Sequence, residues 1–128
     1  MKQTISRLVL ALCGLLLLFG AFAHARAFRG VSSALDRANL RTIYAQDFKT
    51  LWLADSTTLA TVALFFAILA LRPLASRRAL LLIVALIPAA TAVLIYVFVG
   101  SFYAGHLLIG TAVAAAITGS GSPTNAGT

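Results

Sequence analysis

The chain has 128 residues, 61% hydrophobic and only 10% charged, with a net charge of +7 and a mean hydropathy of +0.99. Soluble domains carry roughly 25% charged residues, so a water-soluble fold of this size has too few charges to cover so much apolar surface. The positive charges flank apolar runs and form no continuous basic face, which fits anionic lipid head groups and argues against nucleic acid as a partner.

A hydrocarbon core near 30 Å asks for about 20 apolar residues per helix. Four such windows can be drawn, at 5–23, 51–71, 79–99 and 102–118. The expected fold is therefore all-α: one integral membrane four-helix bundle over 1–119, with a short amphipathic interfacial helix between the first two spans. The lone Cys13 excludes an internal disulfide and a cysteine-based metal cluster. Leu12 before it is too bulky for a lipid-attachment box, so a buried thiol is the better reading.

The first segment can be read in two ways. Lys2 and Arg7 precede an apolar run ending at Ala23-His24-Ala25, which has the parts of a signal peptide cut after Ala25. The run is long for that purpose and nearly long enough to span, so a retained first helix is the favoured reading. The following segment carries Arg26, Arg29, Arg37, Arg41 and Lys49, opposed by Asp36 and Asp47. Lys and Arg on the two sides of four spans tie. The unopposed charges at the N-terminus and at the short hinge of Arg72, Arg77 and Arg78 break the tie, placing both termini in the cytoplasm. These three hinge arginines are the expected head-group contacts.

In the segment 33–50, Leu40, Tyr44, Phe48 and Leu51 recur at helical spacing. Ser33 with Asp36 resembles a capping arrangement, and Gly30 supplies a break before it. A short helix lying on the outer surface is the expectation; one long helix running straight into the membrane is the alternative. The span 51–71 aligns Ser56, Ala60, Ala63, Ala67 and Ala70 in a stripe of small residues suited to close helix packing. Arg72-Pro73 ends it, since proline disfavours helical geometry in the residue before it.

Pro88 lies in the middle of the third span and predicts a packing kink, with Thr91 near the carbonyl group that the ring deprives of a donor. Gly100-Ser101 forms the next hinge. The last span carries two small-residue lines, Gly110/Ala114/Thr118 and Thr111/Ala115/Gly119. Residues 120–128 are Gly, Ser, Pro, Thr, Asn and Ala, the composition of a disordered tail.

This topology brings His24, Trp52, Asp55, Tyr96, Tyr103 and His106 to one level. Asp55, His106, Trp52 and Tyr103 make the candidate polar site, because an ionisable group inside a span is a functional candidate by default. Asp55 and His106 would form an acid–base pair. Against this stands the plain reading, in which Asp55 pairs with an arginine such as Arg26 or Arg29 and the aromatics are interfacial anchors. Two histidines and no glutamate leave little material for haem or metal. No nucleophile–base spacing and no glycine-rich phosphate loop is visible, so no catalytic residue, metal or cofactor is assigned.

The amphipathic segment after the first span, the Trp52-x-x-x-Ser56 opening of the second and the arginine hinge before the third resemble those of small four-helix bacterial inner-membrane proteins. The resemblance covers nearly the whole chain and implies a multi-pass protein of the bacterial inner membrane, with no reaction and no catalytic residue attached. The function expected is that of a non-enzymatic accessory or scaffolding subunit, packing through its small-residue faces on a second copy or on a membrane-protein partner among lipids. A small proton- or cation-coupled transporter using Asp55 is the main alternative. An enzyme on a lipid-like substrate, with Asp55 and His106 as acid and base, is the third.

Overall fold

The computed structural model describes residues 2–72 and 77–120, with the side chains of Lys2, Arg77 and Ser120 left out. Within these residues the chain is all-helical: α1 (Lys2–Arg37), α2 (Thr42–Leu71), α3 (Arg77–Phe98) and α4 (Tyr103–Ser120). Three helices, over Gln3–Arg37, Thr42–Leu71 and Arg78–Phe98, are long and apolar enough to cross a membrane, while the apolar part of α4, Tyr103–Gly119, is shorter. The expected tail lies outside the described residues, as do Pro73 to Ser76 of the arginine hinge.

The helices form two antiparallel hairpins. α1 packs most extensively on α2 and α3 on α4; the hairpins meet through α1 and α4 and, least of all, through α2 and α3. Leu10 and Leu17 of α1, Val62, Phe66 and Leu69 of α2, and Leu81 of α3 are fully buried at the centre. The small-residue stripe of α2 finds its mate inside the chain. A Cβ on Gly14 would lie 3.1 Å from the Ala63 carbonyl oxygen and 3.6 Å from the Ala67 nitrogen, so α1 and α2 touch almost backbone to backbone here. On α4, the line Thr111/Ala115/Gly119 is buried, and a Cβ on Gly119 would meet Leu81 Cβ at 3.5 Å. On the other line Gly110 is exposed, with nothing within 4 Å of a Cβ there, while Ala114 and Thr118 are half-buried.

The segment 33–50 does not form a helix of its own. Residues 33–37 end α1 and residues 42–50 begin α2, which then runs on without interruption. Gly30 costs α1 about 1 kcal/mol relative to alanine, which the neighbouring α1–α2 packing offsets. The Ser33 hydroxyl donates back to the Arg29 carbonyl at 2.9 Å and caps nothing. Asp36 instead accepts from Lys49 Nζ at 2.7 Å, tying the end of α1 to the start of α2. The break falls at Asn39, whose φ of 50° is a left-handed conformation that Asn adopts at low cost. The turn before it is closed by Ala38 N–H donating to the Ala34 carbonyl at 3.0 Å.

α3 continues through Pro88, which is fully buried. The Thr91 hydroxyl donates to the Ile87 carbonyl at 3.1 Å, and so does not serve the Val84 carbonyl that proline leaves without its usual donor. At the far end of α3 both Val99 and Gly100 N–H groups donate to the Ile95 carbonyl, at 2.8 and 3.0 Å. Gly100, at φ 89°, turns the chain in a conformation that side chains resist.

Candidate functional site

Along α1, Leu10, Cys13, Leu17 and Ala21 are buried at three- and four-residue spacing, and the next position in that register is His24. It therefore projects from the core stripe toward α2, where it meets Ser56, the first member of the small-residue stripe. His24 Nδ1 lies 2.9 Å from Ser56 Oγ. Trp52 Nε1 donates to the His24 carbonyl at 2.8 Å, and the imidazole and indole rings stack with centroids 4.0 Å apart and planes 9° from parallel. Each hydrogen bond contributes about 1 kcal/mol, and the ring pair about as much. Together they pin α1 to α2 some 10 residues, or about 15 Å, beyond the Gly14 contact.

Ser56 Oγ stands between two partners, the Trp52 carbonyl at 3.2 Å and His24 Nδ1 at 2.9 Å. In the tautomer in which Ser56 donates to Trp52, His24 donates from Nδ1 and Nε2 of a neutral imidazole is an acceptor; in the other, Ser56 donates to Nδ1 and Nε2 carries the hydrogen. That nitrogen faces Asp55 Oδ2 at 3.7 Å, an ion pair when His24 is protonated and no hydrogen bond otherwise. Ser56 is buried, whereas the His24 and Asp55 side chains are 27% and 37% exposed.

Trp52 and Asp55 thus come together around His24. His106 and Tyr103 do not join them. His106 Nδ1 lies 2.7 Å from the Tyr96 hydroxyl and Nε2 lies 3.3 Å from Ser101 Oγ, so both ring nitrogens are engaged within the α3–α4 hairpin. Gly105 makes room for this: a Cβ there would lie 3.2 Å from the Tyr96 ring. Tyr103 is 72% exposed and its ring tilts against Phe102 at 4.3 Å. The expected Asp55–His106 pair is therefore not formed, because the two residues belong to different hairpins. The side chain that Asp55 faces is His24, and not Arg26 or Arg29. No family model, curated protein or solved structure matches the chain.

His24 and Ser56 are the site residues that sequence reasoning underweighted. The register of His24 with Leu10, Cys13, Leu17 and Ala21 was the signal that could have found the pairing. Among the described residues no three of His, Cys, Asp and Glu come close enough to hold a metal ion. A groove of about 200 Å³ opens between α2 and α3, lined by Thr57, Thr58, Thr61, Val62, Phe65, Val84 and Ile87. It is smaller than common small-molecule sites of roughly 300–1,000 Å³. Its threonine hydroxyls donate to carbonyls of their own helix, Ala54 for Thr57 and Thr58, and Thr57 for Thr61. Arg72 and Arg78 are exposed at the opposite ends of α2 and α3, and the Arg77 side chain lies outside the described residues.

Proposed function

We propose that this is a multi-pass integral membrane protein, a four-helix bundle of a bacterial inner membrane with both termini cytoplasmic, acting as a non-enzymatic accessory or scaffolding subunit. One observation carries the reading. Tyr44, Phe48, Leu51, Asp55, Leu59, Val62, Phe66 and Leu69 follow at three- and four-residue steps and share one face of α2. The lower part of that face is core, with Leu59 at 8% and Val62, Phe66 and Leu69 at 2% exposure or less; the upper part is bare, with Tyr44 at 54%, Phe48 at 57% and Leu51 at 66%. α2 meets the second hairpin only lightly, through α3, so the second hairpin leaves this stretch uncovered. An apolar face that continues a core and is not closed by its own chain is suited to another protein.

The partner chemistry follows from the neighbours. α2 spans about 45 Å over its 30 residues, more than the roughly 30 Å hydrocarbon layer, so Tyr44 and Phe48 rise to head-group level or beyond. Arg41 flanks them on one side and Asp47 on the other. The partner is then a membrane protein, or a second copy, presenting apolar side chains with a mixed-charge rim. Two features favour this over proton- or cation-coupled transport through Asp55. The seam below the His24 cluster is closed by the Gly14–Ala63 approach, and Asp55, although midway along α2, lies toward one end of the apolar window 51–71. An acid–base enzyme gains little support from Asp55 and His106 in separate networks.

A photo-crosslinking residue at Phe48 tests the proposal, with the same probe at Leu64, an exposed residue within the span, as control. A discrete protein adduct from Phe48 and lipid adducts from Leu64 are expected in native membranes. Lipid adducts alone from both positions would leave the accessory reading without its surface. Proton flux in vesicles that survives in the wild type and vanishes in Asp55→Asn would favour transport instead.

A further inference from the structure

Asp55 is a partly exposed carboxylate that meets no Lys or Arg side chain among the described residues. Its side chain faces His24 Nε2 at 3.7 Å, too far for a hydrogen bond, and in the tautomer with Nδ1 donating to Ser56 that nitrogen is an acceptor. In that tautomer two acceptors converge on one partly open space, beside the stacked faces of His24 and Trp52. The cations next to His24 and Asp55 in the sequence are directed elsewhere. Arg26 and Arg29 follow His24 by two and five residues, which on a helix turns them about 160° and 140° away from it. Lys49 is held by Asp36. Asp55 stands 17 residues before Arg72, a rise of about 26 Å, so with Arg72 at one head-group layer it lies just beneath the other. A carboxylate at that depth opens toward water and head-group donors.

We propose that Asp55, His24 and Trp52 form a binding site for an ammonium group, presented by the amine of a lipid head group or by a free organic amine. The ammonium N–H groups donate to Asp55 Oδ2 and to His24 Nε2, and the positive charge lies against the indole–imidazole stack, where a ring face attracts a cation. Head-group amines occur at the depth where Asp55 opens, and a second N–H donor bridges two acceptors that would otherwise repel.

Trp52 is the chain's single tryptophan, so intrinsic fluorescence reports on this site alone. The full protein is placed in nanodiscs of phosphatidylglycerol, and phosphatidylethanolamine is raised in steps; a parallel series in pure phosphatidylglycerol receives free ethanolamine. A saturable emission change is expected with phosphatidylethanolamine, unaltered in Asp36→Asn and at least about tenfold weaker in apparent affinity in Asp55→Asn. Response to the lipid only identifies a head-group site, and response to both identifies a general amine site. Emission indifferent to both amines in the wild type, a comparison that needs no variant to fold, overturns the proposal. So does a well-folded Asp55→Asn that titrates like the wild type.

Discussion

Gly14 is the position where the fold is most exposed to a single change. A methyl group added there sits 3.1 Å from the Ala63 carbonyl oxygen and 3.6 Å from Phe66 Cβ. Gly14→Ala gains about 1 kcal/mol of helix propensity and loses a similar amount to that tight contact, so it should fall within about 1 kcal/mol of the wild type. Gly14→Leu adds three further carbons where there is no space. The helices must part, and overpacking of this kind costs about 1–3 kcal/mol, before counting the burial lost at Leu10, Leu17 and Phe66. Thermal unfolding in detergent, followed by Trp52 emission, measures both variants at once, because the indole reports the other end of the same seam. Gly14→Leu should unfold several degrees lower and disturb Trp52 even when folded. A leucine variant as stable as the wild type, with unchanged emission, would mean that α1 and α2 do not meet at Gly14.

The remaining predictions concern the ends of the same hairpin. A double-mutant cycle of His24→Ala and Ser56→Ala should give a coupling of about 1 kcal/mol, the value of one hydrogen bond between partly buried groups; strictly additive losses would deny the Nδ1–Oγ bond. Lys49→Ala removes an ion pair whose acid is 62% exposed, so the cost should stay near 0–1 kcal/mol and shrink in high salt. A larger, salt-insensitive loss in urea or thermal melts would show that Lys49 does more than meet Asp36.

How much of this was legible in the residues differs from element to element. The ends of α2, α3 and α4 at Leu71, Phe98 and Tyr103 fall within a residue of the windows drawn from hydropathy, because Arg72-Pro73 and Gly100-Ser101 punctuate the apolar runs. The turn between α1 and α2 was not legible in that way. Gly30 and Ser33 carry the usual signs of a helix end, yet the chain turns at Asn39, where the Asp36–Lys49 pair across the turn lets both helices continue. Hydropathy locates a span; it does not locate the end of a helix that leaves it. The candidate site shows a second limit. Placing Asp55, His24 and His106 at one height is an argument about depth, and height says nothing of direction around the helices. Direction was written in the register of His24 with the α1 core, and in Ser56 at the head of the alanine stripe.

The uneven joining of the helices has a consequence for biogenesis. Each hairpin carries its own fastening: Gly14 against Ala63 with the His24 cluster in the first, and Gly105 and Gly119 against α3 in the second. The first pair can therefore insert and zip together while the second is still being synthesised, and docking of the finished pairs comes last. Two separately expressed halves, divided between α2 and α3, should reassemble into the native protein.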